Sequence, residues 1–200
     1  MSFGTNPYAL GGWSSAWPAP SSFSPKRPTF VTFRILHPSA KAVGPTNAPL
    51  DILNCVVLDP HARTYLTIST ASRASVTSIQ NAKGMVVGSV QWSASPQPIL
   101  ESNNTVHIQR QSSSAFLQPL GSRTEFALAI DGRMYTWIVG AQDQKLYSFD
   151  ASSGEVEVLV SVCRDYTGEL VLSVAPVALR MGLLDASVLV LVLLCSGYGP

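Results

Sequence analysis

Few side chains in this chain are of types that do chemistry, and they lie far apart. His37, His61 and His107 are isolated from one another. Two fall in turn-like stretches, and the third falls on the polar face of a short strand. A general base needs an orienting partner, and the sequence pairs none with these imidazoles. Cys55, Cys163 and Cys195 form no C-x-x-C and no Cys/His pair, so no zinc site is expected. Their apolar settings read as small buried hydrophobes. There is no phosphate-binding glycine loop, no H-E-x-x-H and no G-x-S-x-G. Glu155 and Glu157 read as the solvated face of one strand. Asp185 reads as an N-cap or first-turn carboxylate, favoured by the positive end of a helix. The expectation is a non-catalytic protein with no cofactor and no metal.

The basic residues are the more informative set. Arg123, Arg133, Lys145, Arg164 and Arg180 fall in the second half, mostly at strand ends or turns. Two readings stay open: scattered surface charges, or several cations gathered at one rim as an anion site. Arg133 and Lys145 flank one hairpin, which makes them the leading pair. The formal net charge is +1 and charged residues are 12% of the chain, against a usual ~25%. That balance speaks against nucleic acid as a partner, which calls for a strongly basic face.

The elements that must carry these residues are mostly strands. Residues 1–28 are dominated by Gly, Ser and Pro, with Phe3, Tyr8, Trp13, Trp17 and Phe23 interleaved and no period. A disordered tail is expected there, followed by one domain over residues 29–200. Strands are predicted near residues 31–35, 53–58, 64–69, 76–80, 85–92, 105–109, 145–150, 156–162 and 170–174. The turns between them are rich in Gly, Pro, Asn and Asp. Gly88 within its strand suggests a bulge or a close backbone approach.

Asp131-Gly132 is the sharpest local signal, since Asp-Gly between β runs marks a type I′ hairpin. A two-residue loop pairs Ile130 with Arg133, Leu128 with Tyr135 and Phe126 with Trp137. Both faces carry apolar residues, so cover on both sides is expected. Val156, Val158, Val160 and Val162 alternate as the buried face of another strand.

One stretch breaks the β pattern. From Leu183 to Cys195 the chain is apolar on almost every side. Such a helix belongs in a core or a membrane. Its length is roughly 20 Å, short of the about 30 Å of a bilayer's hydrocarbon core. Asp185 and Arg180 also stand in the way of extending it. A buried core helix at about residues 180–195 is the first reading; a central strand and a tail anchor are the others. Ten or so strands at regular spacing suggest a closed barrel or a sandwich, and a lone hydrophobic helix would fill a barrel's lumen.

Three motifs also carry a resemblance. Val87-Gly88-Ser89-Val90-Gln91-Trp92, then Asp131-Gly132-Arg133-Met134-Tyr135-Thr136-Trp137, then Leu183-Leu184-Asp185-Ala186-Ser187-Val188 resemble a fungal family of uncharacterised tubby-like domains. That family shows G-x-I-x-W, D-G-K-x-Y-x-W and a closing D-x-I-V-x-T helix. The wider superfamily holds the tubby C-terminal domain, LURP-one-related proteins and phospholipid scramblases. Arg133 stands where the family often has Lys, and residues 187–194 lack the late threonine and aromatics.

The resemblance implies a tubby-like antiparallel β-barrel wrapped around a hydrophobic C-terminal helix. It also implies recognition of an anionic phospholipid or phosphoinositide headgroup by basic barrel residues, for which Arg133, Lys145 and Arg123 are the candidates. A protein partner at a membrane surface is the other expectation for the same module. A small-ligand barrel or enzyme, and a tail-anchored protein, remain as alternatives. No secretory signal is recognisable, so a cytoplasmic setting, peripheral at membranes, is expected.

Overall fold

The computed structural model describes residues 29–37, 52–71, 75–92, 97–149 and 155–196. The expected tail at residues 1–28 and most of the loop before residue 50 lie outside the described residues. The protein is mainly β, with thirteen strands in one antiparallel sheet. The first half supplies β1 (Val31–Leu36), β2 (Cys55–Leu58), β3 (Thr64–Thr70), β4 (Val76–Asn81), β5 (Val86–Gln91), β6 (Ile99–Asn103) and β7 (His107–Ser112). The second half supplies β8 (Gln118–Pro119), β9 (Glu125–Ile130), β10 (Arg133–Val139), β11 (Asp143–Phe149), β12 (Val156–Arg164) and β13 (Leu170–Val174). Among the described residues a 3-10 turn (Ile52–Asn54) and three α-helices complete it: α1 (Ser113–Phe116), α2 (Pro176–Arg180) and α3 (Leu183–Cys195).

Each half is a meander, and the two are joined by β1 against β13, with Phe33 opposite Leu172 and Ile35 opposite Leu170. The strand order runs β7-β6-β5-β4-β3-β2-β1-β13-β12-β11-β10-β9-β8. The expected closed barrel is therefore corrected in one respect: β7 and β8 are the two ends of the sheet and do not pair. The local cause is legible. The chain leaves β7 through the α1 turn, and β8 is only two residues long, one of them Pro119, which has no N–H to donate.

The hairpin at Asp131-Gly132 has the register that its two-residue loop dictates. Ile130 faces Arg133, Leu128 faces Tyr135 and Phe126 faces Trp137. Asp131 and Gly132 both take positive φ, 48° and 74°, as a type I′ turn requires. Cover on both sides holds only in part: Phe126, Leu128, Tyr135 and Trp137 are buried on one face and Ala127 on the other, whereas Ala129 and Met134 face solvent. Trp137 keeps its indole N–H satisfied by donating to Gln144 Oε1 at 3.0 Å.

Bulges shape two other strands. Beside Gly88 the register of β4 and β5 shifts by one residue. A Cβ at Gly88 would stand 3.3 Å from the Glu101 carbonyl oxygen, so a larger residue there requires the neighbouring strand to give by a few tenths of an ångström. In β12 the register against β11 passes from Leu146 opposite Val160 to Tyr147 opposite Val158, leaving Leu159 as the extra residue. The bulge turns the strand over. Leu159, Val160 and Val162 are buried, but Val156 is 62% exposed, against the expected alternation.

The terminal apolar run is a helix and is internal. Every residue from Leu183 to Leu193 is buried. They share one core with Phe33, Val57, Leu66, Ile79, Val90, Leu100, Ile108, Phe126, Trp137, Leu146, Val160 and Leu172. Each such fully buried aliphatic or aromatic side chain stabilises the fold by roughly 1.5–3 kcal/mol. No described helix is long and apolar enough to cross a membrane. The helix expected over about 180–195 is α3, and the short α2 precedes it. Gly182, at φ 70°, breaks them apart, and its missing Cβ lets Val106 and Thr105 pack against the backbone. Of the cysteines, Cys55 is buried, while Cys163 and Cys195 are free and exposed, contrary to the buried reading.

Candidate functional site

Two groups of polar residues lie at the end of the sheet where the β9–β10 turn and the start of α3 sit. The first is internal. Asp185, in the first turn of α3 and buried, accepts hydrogen bonds from Asn104 Nδ2 at 2.7 Å and from the Tyr65 hydroxyl at 3.3 Å. Burial, and then the charge of Asp185, push the Tyr65 pKa up to about 12. Gly182 is the N-cap residue, so Asp185 is a first-turn carboxylate, and its partners are side chains from β3 and the β6–β7 loop. With both oxygens engaged and almost no access, this group ties α3 to the sheet.

The second group opens to solvent. A cavity of about 430 Å³ is lined by Arg133, Met134, Tyr135, Ser148, Glu157, Leu159, Val177 and Met181. Its back wall follows from strand register. Tyr135 lies opposite Ser148, and Ser148 lies opposite Glu157, so three polar side chains form one row across β10, β11 and β12. Neighbouring strands are about 4.8 Å apart, which sets Tyr135 and Glu157 roughly 10 Å from each other. Arg133 follows two residues along from Tyr135, on the same face. Pro176 at the first position of α2 starts the short helix that brings Val177 and then Met181 over the cavity as an apolar wall.

The electrostatics are mixed. Burial raises the Tyr135 pKa above the ordinary phenol range, and the Arg133 guanidinium beside it opposes that rise. Arg133 Nη1 also approaches Met181 Sδ at 4.0 Å. Among the described residues neither Arg133 nor Glu157 has an ion-pair partner. The cavity can therefore hold a ligand that carries charge and has some apolar surface. No described group of histidines, cysteines and carboxylates is placed to hold a metal.

The structure does not bring the expected cations together. Arg133 stands at the turn end of the hairpin. Lys145 lies opposite Ile138, five residues further along, or roughly 17 Å at strand rise, and on the outer face. There it pairs with Asp143 at 2.7 Å, whose hydrogen bond raises the Lys145 pKa. Arg123 belongs to the Lys145 end, since the adjacent Thr124 carbonyl accepts from Val139 N–H at 2.7 Å. Arg164 donates to the Gly168 carbonyl at 2.9 Å within its own turn. His61 and His107 are both exposed and belong to different loops or strands.

Glu157 is the residue that the sequence reading missed. Its position on a strand with four alternating valines places it on a solvated face, and only the bulge at Leu159 moves it into the cavity. The one local hint is Leu159 itself, an apolar residue in the otherwise polar phase of Glu155, Glu157 and Ser161.

Fold and cavity together define a mainly β protein built on one antiparallel sheet, with a largely buried apolar helix and a charged rim cavity. Residues 50–194 match the family of unknown function DUF6593, and the chain belongs to that family. No curated protein matches the chain. An X-ray structure of a protein from Arabidopsis thaliana is similar at 8% identity, with a TM-score of 0.39, over 82% of this chain and 90% of that one.

Proposed function

We propose that this protein is a non-catalytic, tubby-like module that binds an anionic phospholipid headgroup at a membrane surface, through the rim cavity at Arg133. The reading of the fold as an open sheet wrapped around a central helix is supported by α3, whose residues Leu183 to Leu193 are buried in one core with residues from both meanders. The observation that carries the lipid reading is Arg133, a guanidinium without a described carboxylate partner, in a cavity whose other wall is the apolar Val177 and Met181. A cation over an apolar wall suits an amphiphile's charged head better than a freely hydrated anion.

The surroundings support the same orientation. Met134 and Val156 are 60% and 62% exposed. Met134 is itself part of the cavity wall, and Val156 is the chain neighbour of Glu157. Exposed apolar side chains beside a charged cavity suit shallow insertion at an interface. Within this reading Arg133 is the binding residue, and Lys145 and Arg123, at the other end of the hairpin, act at most through long-range attraction.

Co-sedimentation with neutral and anionic vesicles at low and high salt tests the proposal. Attachment to anionic vesicles only, weakened by salt and lost in Arg133→Glu, is the expected result. Attachment that Arg133→Glu leaves unchanged overturns the assigned site, and no attachment to any vesicle overturns the lipid reading.

A further inference from the structure

The rim cavity holds a negative charge as well as a positive one. Glu157 faces it from β12, across Ser148 from Tyr135 and Arg133 on β10. The two charged groups are not within ion-pairing distance of one another, and no other described residue pairs with either. A polyphosphorylated headgroup would set its extra charge against Glu157, and like charges brought together are a strong discriminating element. A ligand with both signs, spaced by a short chain, would instead satisfy both walls at once.

The lining narrows the cation. Glu157 and Ser148 offer hydrogen-bond acceptors, which suit the three N–H donors of a primary ammonium. A quaternary ammonium would call for an aromatic cage, and among the described residues Tyr135 is the one aromatic in the cavity wall. Resting on the lipid reading above, we infer that the cavity selects an amino-phosphate, the phosphoserine headgroup of an anionic aminophospholipid, with Arg133 on the phosphate, Glu157 on the ammonium, and the serine carboxylate turned out to solvent at the exposed edge, away from Glu157. The same amino-phosphate pattern occurs in free O-phosphoserine, so the test separates the two sources.

Vesicles of phosphatidylcholine doped with phosphatidylserine, phosphatidylglycerol or a phosphoinositide, matched in net charge, are compared for the full chain and for Glu157→Gln. The intact protein attaches several-fold more to phosphatidylserine than to phosphatidylglycerol. Glu157→Gln loses the partner of the ammonium and the like-charge penalty against phosphatidylglycerol, so attachment to phosphatidylserine falls, attachment to phosphatidylglycerol does not fall, and the ratio moves towards one. The exposed position of Glu157 makes that variant a mild one, and a thermal melt checks that it folds. Equal attachment to the two lipids by the intact protein, or a preference that survives Glu157→Gln, overturns the amino-phosphate assignment while leaving a lipid site standing. Absence of attachment to every vesicle overturns the lipid reading itself. If soluble O-phosphoserine then still binds in a titration and Glu157→Gln abolishes it, the amino-phosphate chemistry holds with a soluble source; if it does not, the assignment falls too.

Discussion

The hydroxyl of Tyr65, at the start of β3, donates to the carboxylate of Asp185, in the first turn of α3, across 120 residues of chain at 3.3 Å. Asn104, from the loop between β6 and β7, donates to the other oxygen at 2.7 Å. The apolar helix can slide or rotate among apolar neighbours with small penalties, because such contacts are non-directional. A buried carboxylate with two fixed donors removes that freedom. The Tyr65 ring also packs edge-on to Phe33 of β1, at 5.4 Å between centroids, so the same tyrosine fixes β3, β1 and α3 relative to one another.

Asp185→Ala leaves the Tyr65 hydroxyl and the Asn104 amide without this partner. The expected destabilisation is about 2–3 kcal/mol, read as a lower urea midpoint with little change in slope. Asp185→Asn keeps an acceptor and loses less. If Asp185→Ala unfolds at the same urea concentration as the intact protein, the tie does not hold the helix.

Gly182→Ala and Gly132→Ala separate two roles of a left-handed glycine. At Gly132 a Cβ meets nothing within 4 Å, so only the backbone conformation is penalised, by about 1–2 kcal/mol. At Gly182 a Cβ would lie 2.6 Å from Val106 Cγ2 and 2.9 Å from Thr105 Cγ2, and the junction of α2 and α3 must shift. Gly182→Ala is the more damaging of the two in chemical denaturation, and adding Val106→Ala recovers part of the difference. Equal losses would mean that packing at this junction does not matter.

Tyr65 makes stability fall at alkaline pH. Its folded pKa of about 12 lies above the ordinary value of 10.0, so the unfolded chain releases its proton first. Its contribution is complete below pH 10 and is lost as the pH rises from 10 to 12. Tyr65→Phe is less stable at neutral pH, because Asp185 loses a donor, but its stability declines less steeply across that window. Parallel declines for the two proteins would place the alkaline sensitivity elsewhere.

Charge reversal should distinguish the two ends of the hairpin. Arg133→Glu abolishes attachment to anionic vesicles. Lys145→Glu and Arg123→Glu lower it slightly at low salt and leave it unchanged at physiological salt, where charges beyond about 8 Å are largely screened. An equal loss in all three would mean that the whole surface is recruited by diffuse charge, with no site at the rim.

Much of the fold is legible along the chain because strands and turns carry local signals. Asp131-Gly132 states its own register, and residues 183–195 state their own apolarity, while their place in the core comes from the structure. β6 escapes because Pro96 and Pro98 read as the end of a strand, while Ile99 and Leu100 are too short a run to show a period. The candidate site is less legible. Arg133 is visible as a basic residue at a turn. The neighbours that give it meaning, Glu157, Val177 and Met181, come from elements 24 to 48 positions away.

The sequence by itself determined that the protein is mainly β, that one hairpin turns at Asp131-Gly132, and that an apolar run follows the last strand. Those properties follow from backbone preferences and from the insolubility of apolar surface, both encoded within a few residues. Only the tertiary structure decided that Arg133 and Lys145 stand at opposite ends, that the sheet is open between β7 and β8, and that Glu157 faces the cavity. Those depend on register and on one inserted residue, Leu159. In a strand, a one-residue shift moves every side chain beyond it to the other face.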